Sequence, residues 1–355
     1  MPKFDRIVLL SDGIRGHYHQ SLGIAQWLER LGGGRLDPPV NVPHYSGLQK
    51  LMKMKLFVHG LAVHGGAFSR EWLNASGLRL PPVKPNTLFI SAGSSAAPFC
   101  LACAKASGNK SAVVMTPSVL GTKPFDYAII PEHDKHDPKD TNILTTLGAP
   151  NHIWPPELAK VGENFFADRD FGGKKIVAVL VGGSDANYKP SPKWAEDALG
   201  SLRYIDGIKI LLTTSRRTGD AVDSKIEDMF ANDPSLGYML ILSRKPRVNA
   251  LTAMLGKATH VLVTEDSVSM VSEAVTAGFR VGLLRVPRVA HPLKNALGFG
   301  VKRFDDLFER MRQKNLLVDL GEMPDFRKFL EPSEQKHITD FNEAKRAADW
   351  ILSKP

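Results

Sequence analysis

Between Thr264 and Gly278, small polar residues stand directly before a segment whose apolar residues recur at helical spacing. The apolar run 261–263 is too short for a helix and predicts a buried strand, so a strand would lead straight into a helix N-terminus. Free N–H groups and the helix dipole make such an N-terminus a site for an anion, for example a diphosphate. The residues that would contact this anion are Asp266, Ser267, Val268 and Ser269.

Glu273 lies about a turn and a half inside the same predicted helix. Its carboxylate could accept hydrogen bonds from a ribose diol next to the diphosphate. The alternative interpretation is an ordinary capped helix, with Asp266 or Ser267 as the N-cap residue. Residues 264–278 alone favour neither interpretation over the other.

A histidine follows a glycine-rich loop near the start of the chain. The strand predicted over 7–10 leads into the loop 11–17, which ends in Gly16 and His17 and lacks the G-x-G-x-x-G spacing of dinucleotide sites. An imidazole titrates near neutral pH, so His17 is the first candidate for a general base acting on an acceptor hydroxyl. A structural histidine is the alternative. The reserve candidates follow a later predicted strand and are Glu132, His133 and Asp134.

Two loops in the second half of the chain combine small residues with positive charge. Gly183 and Ser184 follow an apolar run, and Ser215 and Arg216 follow the next one. A guanidinium group can bind phosphate oxygens through two parallel hydrogen bonds. We therefore expect these residues to bind phosphate groups.

Short apolar runs alternate with helical segments along the chain, which predicts parallel β-sheets. The series restarts at residue 175 after the passage 147–170, which contains prolines and little periodicity. A length of 355 residues also exceeds one ordinary core. We therefore predict two Rossmann-like α/β domains, 1–152 and 153–332, facing each other across a cleft, and a C-terminal helix in 333–355. All the loops above would then lie at the carboxyl ends of strands, where ligands bind.

The net charge of the chain is +9, and the excess is concentrated in the first half. Residues 38–125 contain nine Lys or Arg but a single acidic residue, Glu71. This favours an anionic partner, although a solvated basic face is the alternative. Aromatic residues in this region lack the regular interleaving that base stacking requires, which disfavours nucleic acid.

The segment 48–58 mixes Leu, Met and Phe with three lysines. Long lysine stems can cover apolar surface, and this composition is typical of a helix at the interface of an anionic membrane. A helix packed in its own domain with its lysines outward remains equally open. The lysines concerned are Lys50, Lys53 and Lys55.

No apolar run reaches 18 residues, so no membrane-spanning segment is predicted. Because the first strand begins near residue 7, we expect no signal peptide and a cytoplasmic protein, with peripheral association at the inner membrane. Cys100 and Cys103 could form a redox pair or half of a zinc site, but their apolar neighbours favour a buried helix. The Asp-Arg-Asp sequence 168–170 lies in a polar linker, which disfavours a metal site there.

These motifs resemble the site of the GT-B transferase that adds GlcNAc to the lipid-linked peptidoglycan precursor. That site has a glycine-rich loop ending in His, a small-residue loop ending in Pro, a Gly-Gly-Ser strand end and a helix with S-x-x-x-x-x-E. The corresponding stretches here are 13–17, 93–98, 182–184 and 267–273. One departure is that Gly93 is followed by two serines instead of a second glycine.

More closely, the chain is similar to the domain family named after a plant mitochondrial fission protein. That family shares the motifs T-D-G-x-x-G-H, P-E-H-D, T-S-R-R-T and T-E-D-S-V-S-M-V-S-E-A. The match covers nearly the whole chain and the last motif is specific. The corresponding stretches are 11–17, 131–134, 214–218 and 264–274.

The resemblance implies a metal-independent GT-B glycosyltransferase. It would move a sugar from a nucleotide diphosphate sugar, such as a UDP-sugar, to a lipid or lipid-linked acceptor at the membrane surface of the cell envelope. The resemblance places Gly16 with the nucleotide sugar, and Gly93 and Ser94 with the acceptor or the membrane. It implies no cofactor besides the donor and no nucleic-acid partner. Two rivals stay open: an NDP-sugar 2-epimerase using the carboxylates of 131–134, and a peripheral membrane scaffold without turnover.

Overall fold

The computed structural model describes residues 2–45, 47–79, 83–134, 139–245, 250–290, 300–331 and 340–355. It divides into two compact units, Met1–His152 with Asn342–Pro355, and Ile153–Phe341. Each unit is built on one parallel β-sheet with helices between its strands. The predicted α/β fold with two Rossmann-like domains is thereby confirmed.

The seven described strands of the first unit form one sheet. Six of them follow the order β2-β1-β4-β5-β6-β7, and β3 pairs with β1 outside this order. Every pairing is parallel, so the carboxyl ends of the strands share one edge. The strand order reverses between β1 and β4. In chain order its elements are β1 (Arg6–Ser11), α1 (Arg15–Arg30), β2 (Arg35–Leu36), β3 (Val40–Asn41), α2 (Gly47–Ala75), β4 (Thr87–Ala92), α3 (Gly93–Ser107), β5 (Lys110–Val114), β6 (Tyr127–Pro131) and β7 (Ile143–Thr146).

The core of the first unit has two apolar layers because alternate residues of a strand point to opposite faces. Val8 and Leu10 of β1 belong to the layer that includes residues of α2 and α3. Ile7 and Leu9 belong to the layer that includes α1 and the C-terminal helix, which spans Glu343–Ser353. That last helix therefore completes the first unit by covering one face of its sheet.

The second unit has the strand order β10-β9-β8-β11-β12-β13. Counted from its own first strand this is 3-2-1-4-5-6, the order of dinucleotide-binding sheets, and the order reverses between β8 and β11. Such a reversal is where ligands bind. In chain order its elements are α4 (Pro155–Phe165), β8 (Lys175–Leu180), α5 (Pro192–Leu199), β9 (Ile208–Thr213), α6 (Asp220–Phe230), β10 (Leu236–Leu240), α7 (Leu251–Lys257), β11 (His260–Thr264), α8 (Val268–Thr276), β12 (Val281–Leu284), α9 (Lys302–Gln313), β13 (Leu317–Asp319) and α10 (Phe326–Leu330). The C-terminal helix is α11.

Helix α2 contains the lysine-rich segment and spans 29 residues. Its backbone leaves the helical conformation at Gly65, where φ is 63° and ψ is −138°. Among the described residues, no helix combines the length and the apolar character needed to cross a bilayer.

Both cysteines lie in the interior of α3 as free thiols. Burial raises the pKa of the Cys100 thiol to about 12 and raises that of Cys103 as well. Thiols that do not ionise near neutral pH are poor nucleophiles and poor metal ligands. The prediction that these cysteines belong to a buried helix is confirmed.

Candidate functional site

Asp12, in the loop between β1 and α1, and His17, in the first turn of α1, form an Asp–His pair. Oδ2 of Asp12 lies 2.9 Å from Nδ1 of His17, and Oδ1 accepts the N–H of Ile14 at 3.1 Å. The Asp12 side chain is 2% exposed, whereas that of His17 is 23% exposed. An ionised Asp12 favours the tautomer with the proton on Nδ1, which leaves Nε2 of His17 to accept a proton.

The charge of Asp12 is maintained against its burial. Burial opposes ionisation, but the hydrogen bond and charge of His17, together with the N–H of Ile14, outweigh it and lower the pKa of Asp12. A carboxylate that stays ionised can both orient an imidazole and stabilise the imidazolium that forms when the imidazole takes a proton. The pair thus has the features of a general base with its orienting acid.

Gly93, at the start of α3, lies against this histidine. A β-carbon at position 93 would come within 2.5 Å of Cε1 of His17, and the residue has φ +75°. Only glycine satisfies both the left-handed backbone and the close approach. The structure thus brings together His17 and Gly93, which the sequence had placed in separate loops.

Three other predicted residues of the first unit lie in, or contact, the helix turns that carry this contact. Gly16 is in the first turn of α1, and Ser94 is in the first turn of α3. The Ser94 hydroxyl accepts the N–H of Ser118 at 2.8 Å. Lys50 donates to the Ser95 hydroxyl at 2.9 Å. The stretch 93–98, expected from the sequence to be a loop, forms the first turns of α3, so one of the three predicted lysines reaches that helix.

The remaining two lysines point elsewhere. Nζ of Lys53 lies 3.8 Å from the ring centroid of Tyr45, a cation–π contact. Lys55 is exposed on α2. The three lysines predicted to contact the acceptor or the membrane are therefore not close together. Lys50 contacts the first turn of α3, whereas Lys55 lies on the outer face of α2.

The reserve cluster of Glu132, His133 and Asp134 follows β6. Because β4 and β5 separate β6 from β1, the cluster lies about 14 Å from the end of β1 at ~4.8 Å per strand. Nε2 of His133 lies 3.9 Å from Oδ1 of Asp134, beyond hydrogen-bond distance. The cluster thus follows a strand that is not a neighbour of β1 in the sheet.

In the second unit, a glycine loop and the loop after β11 meet at the reversal of strand order. The N–H of Gly182 donates to Oγ1 of Thr264 and the N–H of Gly183 donates to Oδ2 of Asp266, each at 2.7 Å. A β-carbon at position 182 would lie 2.0 Å from Oδ2 of Asp266, and one at 183 would lie 2.1 Å from the carbonyl carbon of Arg217. Glycine is therefore required at both positions by packing.

The arginine that organises this site is Arg217 and not the predicted Arg216. Nη2 of Arg217 lies 3.3 Å from Oδ2 of Asp266, and its carbonyl accepts the N–H of Ser184 at 2.8 Å. The Ser215 hydroxyl accepts the N–H of Arg217 at 3.0 Å, whereas the Arg216 side chain is exposed. The N–H groups of Gly183 and Ser184, two residues predicted to bind phosphate, thus donate to groups of the protein. The Ser184 hydroxyl and the Arg216 side chain are then the groups that could contact a ligand.

Helix α8 begins where the sequence predicted. Ser267 is its N-cap and accepts the N–H of Met270 at 3.5 Å, so the capping role proposed as the alternative is real. The N–H groups of Val268 and Ser269 in the first turn lack intrahelical acceptors by helix geometry. A cap of this kind leaves the anion-binding capacity of the helix N-terminus in place.

Glu273 is buried inside α8, at 6% exposure. Little of its carboxylate is open to a ligand in this structure. Its contact with a ribose stays a prediction.

Asp266 sets the electrostatics at the mouth of α8. Burial raises the pKa of its carboxyl to about 6, although the bonds from Thr264, Gly183 and Arg217 act in the opposite direction. Its Oδ1 is buried and has no hydrogen-bond partner within the described residues. Above about pH 6 the Asp266 carboxylate is therefore negatively charged beside the N-terminus of α8, where it would repel a bound anion. Below that pH the carboxyl is neutral.

Sequence reasoning missed two residues that matter here. Asp12 could have been found from the sequence. An Asp-Gly pair favours a turn, and a turn at this place would bring the Asp12 carboxylate back to the nearby His17. Arg217 is next to the predicted Arg216, and strand alternation alone cannot say which of two neighbouring arginines faces the loop after β11.

Solved structures with similar folds were found, but the sequence has no significant match among curated proteins. A protein from Listeria monocytogenes named as a UDP-N-acetylglucosamine 2-epimerase is 11% identical, with a TM-score of 0.52 over 98% of this chain and 95% of that one. A UDP-GlcNAc 2-epimerase from Methanocaldococcus jannaschii is 12% identical, with a TM-score of 0.49 over 98% of both chains. The glycosyltransferase SnogD from Streptomyces nogalater is 15% identical, with a TM-score of 0.43 over 98% of this chain and 99% of that one. At such identities the similarity establishes the fold alone.

The family comparison concerns almost the full length of the sequence. The family model described as mitochondrial fission ELM1 matches residues 15–354. The motif resemblance noted in the sequence is thereby confirmed, and this chain belongs to the mitochondrial fission ELM1 family.

Proposed function

We propose that this protein is a glycosyltransferase that uses a nucleotide diphosphate sugar. The observation that carries the proposal is the meeting of the glycine loop 182–184 with the N-terminus of α8, at the reversal between β8 and β11. A sheet of this order binds nucleotides at its reversal, and a helix N-terminus attracts phosphate. Arg216, exposed beside this loop, supplies positive charge for a diphosphate.

The second unit would bind the donor. The hydroxyls of Ser184 and Ser269 and the N–H groups at the start of α8 would donate to phosphate oxygens. Arg216 would bind the diphosphate, and Glu273 would accept from the ribose after a change of rotamer. Arg217 and Asp266 would hold the two loops together.

The first unit would activate the acceptor. Nε2 of His17 would take the proton of an acceptor hydroxyl whose oxygen forms the bond to the anomeric carbon of the sugar. The bond from that carbon to the diphosphate oxygen breaks, and the nucleoside diphosphate leaves. Asp12 would stabilise the imidazolium, and the helix N-terminus and arginine would stabilise the leaving charge. We therefore expect turnover to persist in EDTA.

The acceptor would be a lipid or a lipid-linked glycan at the surface of an anionic membrane. Three features support it: the basic composition of residues 38–125, the exposed Lys55, and the Lys50–Ser95 bond that connects α2 to the first turn of α3, where Gly93 lies. A lipid acceptor would bring its hydroxyl to that turn.

Calorimetric titration of the full chain with UDP, GDP and CMP derivatives tests the donor site. One nucleotide class should bind with a dissociation constant below about 1 mM, and Arg216→Ala should weaken binding about tenfold or more because a charged hydrogen bond is lost. Arg312→Ala is the control, since Arg312 is exposed on α9 and pairs with Glu309. Absence of binding by every nucleotide at millimolar concentration would contradict the proposal.

The alternative enzyme is an NDP-sugar 2-epimerase, which the similarity to the Listeria fold and the carboxylates at 132–134 favour. Incubation with the donor alone separates the two. An epimerase converts the sugar without an acceptor, whereas a transferase needs the acceptor for turnover. A scaffold that has lost turnover would bind vesicles but no nucleotide.

A further inference from the structure

Helix α2 carries an apolar face that is open to solvent in the part of the chain that the structure describes. Leu48 is 71% exposed, Met52 62%, Leu56 61% and Val63 59%. These residues recur every four or seven positions and therefore project from one side of the helix. Of the twelve large apolar residues that are exposed among the described ones, five lie on this helix, the fifth being Leu51.

The opposite side of α2 is firmly packed. Met54 and Phe57 are buried, and the ring of Phe57 lies 4.4 Å from that of Trp72. The ring of Trp72 in turn lies 5.0 Å from that of Phe99 in α3. Because these contacts fix the helix, the exposed face is a defined surface, and a contiguous patch of this kind marks a binding surface.

The positive charge of this helix indicates which kind of partner the apolar face would bind. Residues 38–70 contain no Asp or Glu, while Lys50, Lys53 and Lys55 lie on α2. Apolar side chains flanked by lysines, without acids, complement the acyl region and anionic headgroups of a bilayer. A second copy meeting the same face would place lysines against lysines, which disfavours self-association.

We propose that the Gly47–His64 part of α2 lies in the interface of an anionic bilayer, with its apolar face in the boundary between headgroups and acyl chains. The break at Gly65 ends this straight segment, so the rest of α2 can pack on its own unit. The Lys50–Ser95 bond connects the docked helix to the first turn of α3, which contacts His17 through Gly93. Docking thus brings the general base to the headgroup level, a consequence that rests on the proposed function.

Flotation of the full chain with vesicles tests the docking. Vesicles of phosphatidylcholine with about 30% phosphatidylglycerol should carry the protein, and pure phosphatidylcholine vesicles should carry much less. Met52→Glu combined with Leu56→Glu should lower the partition coefficient at least about tenfold. Replacing Lys55 by Gln should lower it about fivefold and reduce its salt dependence.

Met323→Glu is the matched control, because Met323 is 90% exposed in the second unit. Unchanged circular dichroism and thermal midpoints show that the variants fold. Wild-type protein that does not float with anionic vesicles, or a double variant that floats like wild type, overturns the proposal. The proposal is also overturned if the wild-type protein does not float and light scattering shows that it is a dimer which the double variant no longer forms. The apolar face would then be a contact between two copies of the chain. Flotation needs no nucleotide, so its failure leaves the donor site standing, and failed nucleotide binding leaves the docking standing.

Discussion

His17 lies against the backbone of Gly93, so closely that a β-carbon at position 93 would come within 2.5 Å of Cε1 of the imidazole. The contact joins the first turn of α1 to the first residue of α3. These helices follow β1 and β4, the two strands between which the strand order of the first unit reverses. It fixes the ring on one side, while Asp12 fixes it at Nδ1. The remaining nitrogen is the only ring atom left for acid–base chemistry.

Gly93→Ala should remove activity by displacing His17. The left-handed backbone at position 93 costs an alanine about 1–2 kcal/mol of folding free energy, and the contact with the imidazole forces the ring to move. Gly108→Ala is the control, because Gly108 has φ +68° with nothing within 4 Å. Both variants should lose similar stability in urea unfolding, and only Gly93→Ala should lose turnover. Full turnover by Gly93→Ala would mean that the position of His17 does not matter.

Asp12→Asn should lower kcat by about 10²–10⁴-fold, because an amide neither holds the required tautomer nor stabilises the imidazolium. The acid limb of the pH–rate profile should move as well, which a merely structural residue would not cause. Asp37→Asn serves as the control, because Asp37 forms an ion pair with Arg6 and not with His17. Oδ2 of Asp37 lies 2.6 Å from Nη2 of Arg6. Equal turnover and an unchanged profile in Asp12→Asn would remove His17 from the role of base.

Asp266→Asn should change how stability depends on pH. The folded pKa of Asp266, about 6, lies above the ordinary carboxyl value near 4, so the folded protein holds the proton more tightly than the unfolded chain. The contribution of Asp266 to the free energy of unfolding is therefore fully present below pH 4 and is lost as pH rises through 6, by about 3 kcal/mol. Urea unfolding of both proteins from pH 4 to 7 measures it.

The Asn variant should lack that loss, and it should bind nucleotide more tightly at pH 7 because a negative charge leaves the mouth of α8. Asp319→Asn is the control, because folding lowers the pKa of Asp319 whereas it raises that of Asp266. Burial opposes the ionisation of Asp319, but its bonds to Arg285 and Gly321 outweigh burial and lower its pKa. Parallel stability curves for wild type and Asp266→Asn would show that Asp266 does not titrate in this window.

Glu265→Gln should destabilise the second unit by about 3–5 kcal/mol. Oε2 of Glu265 lies 2.7 Å from both Nη1 of Arg285 and Nη2 of Arg288, and the carboxylate is fully buried. Neutralising it leaves two partly buried guanidinium groups with one acid fewer between them. Urea unfolding measures the loss. Glu309→Gln is the control, since Glu309 lies on the exposed surface of α9, and it should leave the free energy of unfolding unchanged. An equally small loss in both variants would show that the buried Glu265 carboxylate does not stabilise the second unit.

The alternation of apolar runs with helical segments was enough to predict two parallel α/β sheets, because burial on both faces makes each strand a short apolar run. The helix N-terminus after β11 was equally readable, since small polar residues before an apolar helix leave few other conformations. From the sequence, His17 and Gly93 could each be identified as a residue close to a strand end, although both lie in the first turn of a helix and not in a loop. Their mutual contact could not, since it depends on which strands become neighbours.

The sequence by itself determined the period of each element, the excess of positive charge near α2 and the small residues at strand ends, because these are properties of local spacing and composition. Only the tertiary structure decided that Arg217 and not Arg216 binds Asp266, that Asp266 takes the Gly183 amide expected to bind phosphate, and that Leu56 faces outward while Phe57 packs inward. These outcomes depend on which loops and helices meet across the sheet, and such meetings are set by strand order, which no local pattern encodes.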